Sequence, residues 1–189
     1  SLLVAGGCVS KIDVGWMAAG RTINQAVRES RLKLIEWSNG ALAYRHLAGA
    51  LGVHFLPMRY LAGTDTFTQS GAKMIEEPFT GQPVCLGPAL YPDVAIIHVH
   101  QCDMYGNARV MGAGVAPMEI AMSSRKVIIS TEEIIDIEAI RRQPQRTTIP
   151  YYFVDAVVLA PFGTYPGSTP GLYGADIEHW LEWAAAEMQ

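Results

Sequence analysis

"PDVAIIHVHQCDMYGN", residues 92–107, decides how the rest of the chain is read. Its run Ala95-Ile96-Ile97 with Val99 is bounded by Pro92-Asp93 on one side and Gly106-Asn107 on the other. An apolar run of that length, with little polar alternation, marks a strand covered on both faces, as in a parallel sheet. Two similar runs follow, "RKVIIST" (125–131) and "YYFVDAVVLAP" (151–161). Between them stand two helical stretches. "APMEIAMSS" (116–124) has Pro117 in its first turn, and "DIEAIRRQP" (136–144) is stopped by Pro144. Strands alternating with helices predict an α/β fold, a mostly parallel sheet flanked by helices.

In a strand, His98, His100 and Cys102 leave the same face, and three such side chains could hold a metal. A buried parallel strand leaves no room for a solvated ion, however, and no second His/Cys pair stands at useful spacing. The stretch is therefore read as core, with His98 hydrogen-bonded internally and no metal.

Outward from this strand the same pattern continues. "VHFLPMRY" (53–60) reads as a strand interrupted by Pro57. "ALAYRHLAGALG" (41–52) reads as a helix that stops at Gly52, with Ser38-Asn39-Gly40 supplying its N-cap. "LKLIEW" (32–37) is strand-like, "NQAVRES" (24–30) helical, and "SLLVA" (1–5) a short buried strand ended by Gly6-Gly7. Residues 61–92 form a long Gly/Pro/Thr/Ser-rich excursion with a hairpin around "EPFTGQPV", and loops of that length are usually functional or interface elements. "GTYPGSTPGLYG" (163–174) is a loop, and "ADIEHWLEWAAAEM" (175–188) an amphipathic terminal helix.

The chain's 189 residues suit one α/β domain spanning 1–189. Half of them are hydrophobic and 17% charged, enough to bury a large core and too apolar for disorder. A net charge of −4 without a basic run argues against nucleic acid as partner. No apolar run approaches the ~18 residues of a membrane span. Three irregularly spaced cysteines make no disulfide framework and fit a reducing, cytoplasmic setting. "SLLVAGG" lacks the basic region of a signal peptide, and the chain is expected to be an N-terminally truncated copy that lacks a first strand.

Candidate site residues cluster at strand ends, where open α/β sheets bind their ligands. Glu36 ends a strand two residues before a helix start; it could steady the helix N-terminus or act as an acid/base or orienting carboxylate. Paired Gly6-Gly7 could let backbone N–H groups approach a ligand, and a plain tight turn reads equally well. Thr131-Glu132-Glu133 reads as a helix-start cluster, Asp93 as a turn residue and Arg141-Arg142 as a solvated face. No Gly-x-Ser-x-Gly elbow, phosphate-binding loop or Gly-x-Gly-x-x-Gly is present, and nothing assembles a nucleophile, base and orienter.

Several stretches in order resemble the α chain of class I CoA-transferases of the glutaconate type: "LAGALGVHFLP", "EPFTGQPV", "PALYPDVAIIHVHQCDMYGNARVMG" and "STEEIIDIEAIRRQPQRTTIPYYFVDAVVLAPFGTYPGSTPGLY". The resemblance covers essentially the whole chain and implies the CoA-transferase (NagB/RpiA/CoA-transferase-like) fold. It implies a hetero-oligomer with a β subunit whose glutamate, in a Ser-Glu-Asn-Gly-type motif, attacks an acyl-CoA, forms a glutamyl-CoA thioester and passes CoA to a second carboxylic acid. CoA enters as a thioester substrate, and no cofactor is bound permanently. The α subunit would shape the acyl and CoA pocket, for which Gly6, Gly7, Ser38 and Asn39 are the candidates here. "EWSNG" (36–40) echoes the motif but has no Glu between Ser38 and Asn39, so it is not assigned the nucleophile. His100 and Cys102 depart from the residues usual in the family. Two other readings stay open: an acyl-CoA decarboxylase or ring-opening hydrolase subunit of the same fold, for which Glu36 is the candidate carboxylate, and a ligand-sensing module of the sugar-phosphate isomerase-like fold.

Overall fold

The computed structural model describes residues 2–17 and 20–187. They fall into two units. One takes the stretch up to Arg45, His54–Ala89 and the chain from Glu178 onward; the other takes His46–Val53 and Leu90–Ile177.

The first unit begins with a four-residue helix α1 (Leu2–Ala5), followed by strand β1 (Lys11–Val14), helix α2 (Arg21–Arg28) and strand β2 (Lys33–Glu36). β1 and β2 pair in parallel, with Val14 opposite Glu36. α2 buries Ile23 and Ala26, three residues apart on one helical face, against Val4 and Leu32. Helix α3 (Asn39–Ala50) follows β2, and the Ser38 hydroxyl accepts the Ala41 N–H at 3.0 Å as its N-cap. The helix start passes directly over the end of β1. A Cβ on Gly15 would stand 2.7 Å from the Asn39 nitrogen and 2.9 Å from its Cα. Both atoms are backbone and cannot swing aside, so Gly15→Ala is expected to cost about 1–3 kcal/mol. A drop in the urea midpoint at unchanged slope would register this; an unchanged midpoint would mean that the helix start is not held there.

Strand β3 (Phe55–Met58), helix α4 (Asp65–Gln69), and strands β4 (Lys73–Glu76) and β5 (Pro83–Pro88) complete this unit's strands in the order β3-β5-β4, all antiparallel. Pro57 is tolerated because β3 is an edge strand. The hairpin falls where "EPFTGQPV" predicts it, its turn held by the Glu77 carboxylate, which accepts the N–H groups of Phe79 (2.9 Å) and Thr80 (2.6 Å). Trp37, Ala41, Met58, Leu61 and Cys85 form the core. Arg45 is buried beside them. Its guanidinium lies 4.0 Å from the Trp37 ring centroid and donates to Asp13 and to the Pro88 carbonyl, both at 2.9 Å.

The second unit holds β6 (Ala95–Asp103), β7 (Ala108–Arg109), α5 (Pro117–Ser123), β8 (Val127–Ile135), α6 (Ile137–Arg142) and β9 (Ala156–Leu159). The sheet order is β7-β6-β8-β9; β6, β8 and β9 are parallel and β7 is an antiparallel return. Val99, Val127, Ile129 and Ile149 are the large side chains of its core, each worth about 1.5–3 kcal/mol of transfer free energy. Helix α7 (Ile177–Glu187) ends the described chain.

Three expectations change. Residues 2–5 of "SLLVA" form α1 rather than a strand, Ser1 lying outside the described residues. Leu2 and Leu3 are 68% and 66% exposed, and the run closes its hydrogen bonds locally instead of along a neighbour. Thr131-Glu132-Glu133 lies inside β8, and α6 is capped by Asp136, whose carboxylate accepts the Glu138 N–H at 2.7 Å. In "YYFVDAVVLAP" only Ala156–Leu159 is strand, because Tyr151–Phe153 makes a 3₁₀ turn. Met188 of the terminal helical stretch also lies outside the described residues. No described helix is long and apolar enough to cross a membrane. Cys8, Cys85 and Cys102 are free thiols.

Candidate functional site

Each unit has a parallel-strand edge, the place where such folds bind ligands. In the first unit, β1 and β2 end side by side. Glu36, Gly15, Trp16, Trp37 and Thr66 line a cleft of about 270 Å³ there. Glu36 is exposed on its wall. The other residues singled out from the sequence do not line this cleft. The Ser38 hydroxyl is engaged as the cap of α3, and Asn39 opens that helix over Gly15. Gly6 and Gly7 terminate α1, their N–H groups donating to Leu2 O (2.9 Å) and Val4 O (3.1 Å), with Gly7 at φ 68° as a helix end favours. Those two donors are spent on the turn.

In the second unit the edge is made by β6 and β8, with His98 opposite Ser130 and Gln101 opposite Glu133. The Glu132 side chain is 8% exposed and collects donors from three directions. His98 Nε2 lies 2.7 Å from Oε1, the Phe162 N–H donates to Oε2 at 2.7 Å, Thr169 Oγ1 approaches Oε1 at 3.4 Å, and the Tyr173 hydroxyl donates to Oε1 as well. Burial pushes this carboxyl up, but the hydrogen bonds from Tyr173, His98 and the Phe162 N–H outweigh it and hold its pKa at about 2. An ionised Oε1 requires that His98 Nε2 carry a proton; Nδ1 meets Ser130 Oγ at 3.0 Å.

His100 is fixed differently. The Met111 N–H donates to its Nδ1 at 3.1 Å, so Nε2 carries the proton and donates to the Pro170 carbonyl at 2.9 Å. Together, Glu132 and His100 tie the Gly/Pro-rich loop to the sheet at Phe162, Thr169, Pro170 and Tyr173. Phe162 is held at φ 60°, a strained conformation for an aromatic residue, with its N–H on Glu132. A Cβ on Gly163 would stand 2.6 Å from His98 Nδ1, so the loop lies flat on that ring.

The fixed loop forms, through Phe162, Leu172 and Tyr173, one wall of a pocket of about 270 Å³, whose other surfaces include His100, Gln101, Met111 and Glu133. It suits a small acyl chain with a polar end: apolar Met111 and Leu172 face polar His100 and Gln101. Glu132 is poorly placed to attack anything, since its oxygens are saturated with donors and its basicity is low. Glu133 keeps one hydrogen bond, from Gln101 Nε2 at 2.7 Å.

His98, His100 and Cys102 therefore have separate occupations. Cys102 is buried in the core, its thiol pushed up to about 12 by burial and by the neighbouring Asp103. Among the described residues no three His, Cys, Asp or Glu converge as metal ligands. Sequence reasoning missed Glu132 and Tyr173. A signal existed: Ser130 and Glu132 alternate with core residues in an apolar strand, as His98 and His100 do in its neighbour, and polar pairs at period two on adjacent strands meet.

The coenzyme A transferase family model matches residues 1–160. The chain is 45% identical over 192 residues to an uncharacterized protein of Archaeoglobus fulgidus, covering 97% of this chain and 43% of that one. It is 34% identical over 163 residues to the first of the named subunits of glutaconate CoA-transferase from Acidaminococcus fermentans, covering 77% of this chain and 51% of the relative. The crystal structure of glutaconate coenzyme A-transferase from Acidaminococcus fermentans superimposes with a TM-score of 0.90 at 28% identity, over 100% of this chain and 67% of that one. The chain thus spans about half the length of these curated relatives. With the family model matching most of its length and the fold shared throughout, the chain belongs to the coenzyme A transferase family.

Proposed function

We propose that this chain is the α subunit of a heteromeric CoA-transferase that moves CoA between an acyl-CoA and a carboxylic acid, with the attacking glutamate supplied by a β subunit. The observation that carries this reading is the use made of Glu132. The buried Glu132 carboxylate is spent on anchoring a pocket wall, which leaves a shaped, half-apolar chamber without an activated nucleophile. Such a chamber can orient an acyl group and keep water from a reactive thioester, two contributions that accelerate a reaction whose nucleophile arrives from elsewhere. Glu36, on the other edge, takes an orienting or acid/base role. CoA thioesters pass through as substrates.

The test is label exchange. The purified chain, given an acyl-CoA and a radiolabelled acid, is expected to form no labelled thioester; adding the cognate second subunit starts exchange. Turnover by the chain alone would remove the divided-site reading. Release of carbon dioxide or of free CoA thiol by the assembled enzyme, in place of exchange, would assign it to the decarboxylase or hydrolase branch.

A further inference from the structure

The polar end of the pocket beside His100 has one chemical character, and it decides what an acyl group carries there. Two glutamates line the pocket, and among the described residues of its wall there is no lysine or arginine. Glu132 is held ionised, with its oxygens taken by donors of the protein itself. Glu133 is exposed and accepts one side-chain hydrogen bond, on Oε2 from the Gln101 amide at 2.7 Å; among the described residues no donor meets its Oε1. The donors close by are engaged. His100 gives its N–H on Nε2 to the Pro170 carbonyl, and the Met111 N–H is spent on His100 Nδ1. Gln101 stands between Glu133 and Arg109, whose Nη1 lies 3.5 Å from the Gln101 Oε1, so only one orientation of the amide suits both neighbours. The guanidinium behind Gln101 is walled off. Arg109 is 4% exposed, and its Nη2 donates to the Ala139 and Gln143 carbonyls at 2.8 and 3.4 Å.

We propose that the acyl group taken by this pocket ends in a hydrogen-bond donor, a hydroxyl or an ammonium, that meets the open oxygen of Glu133, and that acyl groups ending in a second carboxylate are refused. Magnitudes decide the sign. An anion entering here gains the one amide N–H that Gln101 has left, a neutral hydrogen bond worth about fivefold in affinity. Against it stand two carboxylates, and like charges in contact near a protein surface cost up to about a thousandfold. A donor group meets the reverse balance, since a hydrogen bond to a charged acceptor is worth about tenfold or more. Met111 and Leu172 cover the methylenes in between. Glu133 is then the residue that sets specificity, and Gln101 and Arg109 are positioning residues that hold its Oε2 and leave Oε1 for the ligand. The inference rests on the reading of this pocket as the acyl site of a CoA-transferase, and it names the acyl class.

The full chain, assembled with its second subunit, is titrated by calorimetry with thioether analogues of acyl-CoA that cannot be turned over. Their otherwise identical chains end in methyl, hydroxyl, ammonium or carboxylate. The hydroxyl and ammonium analogues are expected to bind about tenfold tighter than the methyl one, and the carboxylate analogue about a hundredfold weaker than either. Tightest binding of the ammonium analogue assigns a cationic acyl group, and tightest binding of the hydroxyl analogue a hydroxyacyl group. Glu133→Gln keeps the shape and removes the charge, so the gap between the ammonium and carboxylate analogues should shrink at least about tenfold. A carboxylate analogue that binds native protein as tightly as the hydroxyl one overturns the proposal without any variant, and so does a gap that Glu133→Gln leaves as it was. If the expected order appears while the assembled enzyme exchanges no label, the pocket's preference stands and the transferase reading falls. If label passes to glutarate as fast as to 4-hydroxybutyrate, the transferase reading stands and the preference falls.

Discussion

Glu132→Gln is expected to destabilise the second unit by about 2–4 kcal/mol at neutral pH and to lower kcat/KM of the assembled enzyme about a hundredfold. The replacement keeps the shape and removes the charge. Its amide nitrogen must then face a donor, either the Phe162 N–H or the hydroxyl and imidazole donors of Tyr173 and His98, because each oxygen of the native carboxylate is occupied. Whichever way it turns, one anchor of the 162–173 loop is lost, and with it the pocket wall that Leu172 and Tyr173 form.

The pH dependence gives an independent handle. The folded pKa of Glu132 is depressed from 4.5 to about 2. A depressed carboxylate contributes stability that is fully present above its unfolded value and is lost as pH falls through the folded one. The native protein should therefore lose up to about 3 kcal/mol more than the variant between pH 5 and pH 2. Urea midpoints of the two proteins, measured across that range, should converge as the acid end is approached. A gap that stays constant with pH would mean that Glu132 does not act through its charge, and wild-type kcat/KM in the variant would detach the loop from the site.

How much of this was legible in the sequence depends on whether the decisive contacts are local. The β6 and β8 cores announced themselves as Val/Ile runs, and the Glu77 turn came with Gly and Pro beside it. Pro57 fits β3 as an edge strand. What failed was information held by partners distant in the chain. "SLLVA" has the composition of a strand, but a strand needs a neighbour to bond, and α1 closes its bonds within five residues. The acids at 132 and 133 precede a helix, and their nearness to it suggested a helix-start role. Asp136 takes that role, while Glu132 faces a loop that begins thirty residues later at Phe162. The place of Glu36 at the end of β2 was readable because strand end and helix start are neighbours in sequence. The Glu132–Tyr173 contact joins residues 41 positions apart, and no local pattern encodes it.

Asp103→Ala should be the most damaging single change in the second unit. The carboxylate is wholly buried and accepts four hydrogen bonds, three of them from consecutive backbone N–H groups of the turn that ends β6. The Gly106 N–H has a second acceptor in the Asp103 carbonyl at 3.2 Å, so it is partly compensated. The Tyr105 and Asn107 N–H groups depend on the carboxylate, and each left unpaired costs about 1–3 kcal/mol. The Asn107 amide loses its acceptor too, and with it the fixed orientation in which its oxygen takes the Tyr151 N–H. The sum is about 3–5 kcal/mol, at the upper end for one substitution. Asp103→Asn separates the contributions. Its carbonyl oxygen can still accept the three backbone donors, and only the nitrogen meets a donor, that of Asn107, so about 1–2 kcal/mol is expected. Native-state hydrogen exchange resolves this directly. In the alanine variant the Tyr105, Asn107 and Tyr151 amides should lose protection together, in the asparagine variant only Tyr151, and equal losses in both would show that the turn is held by its backbone bonds rather than by the Asp103 side chain.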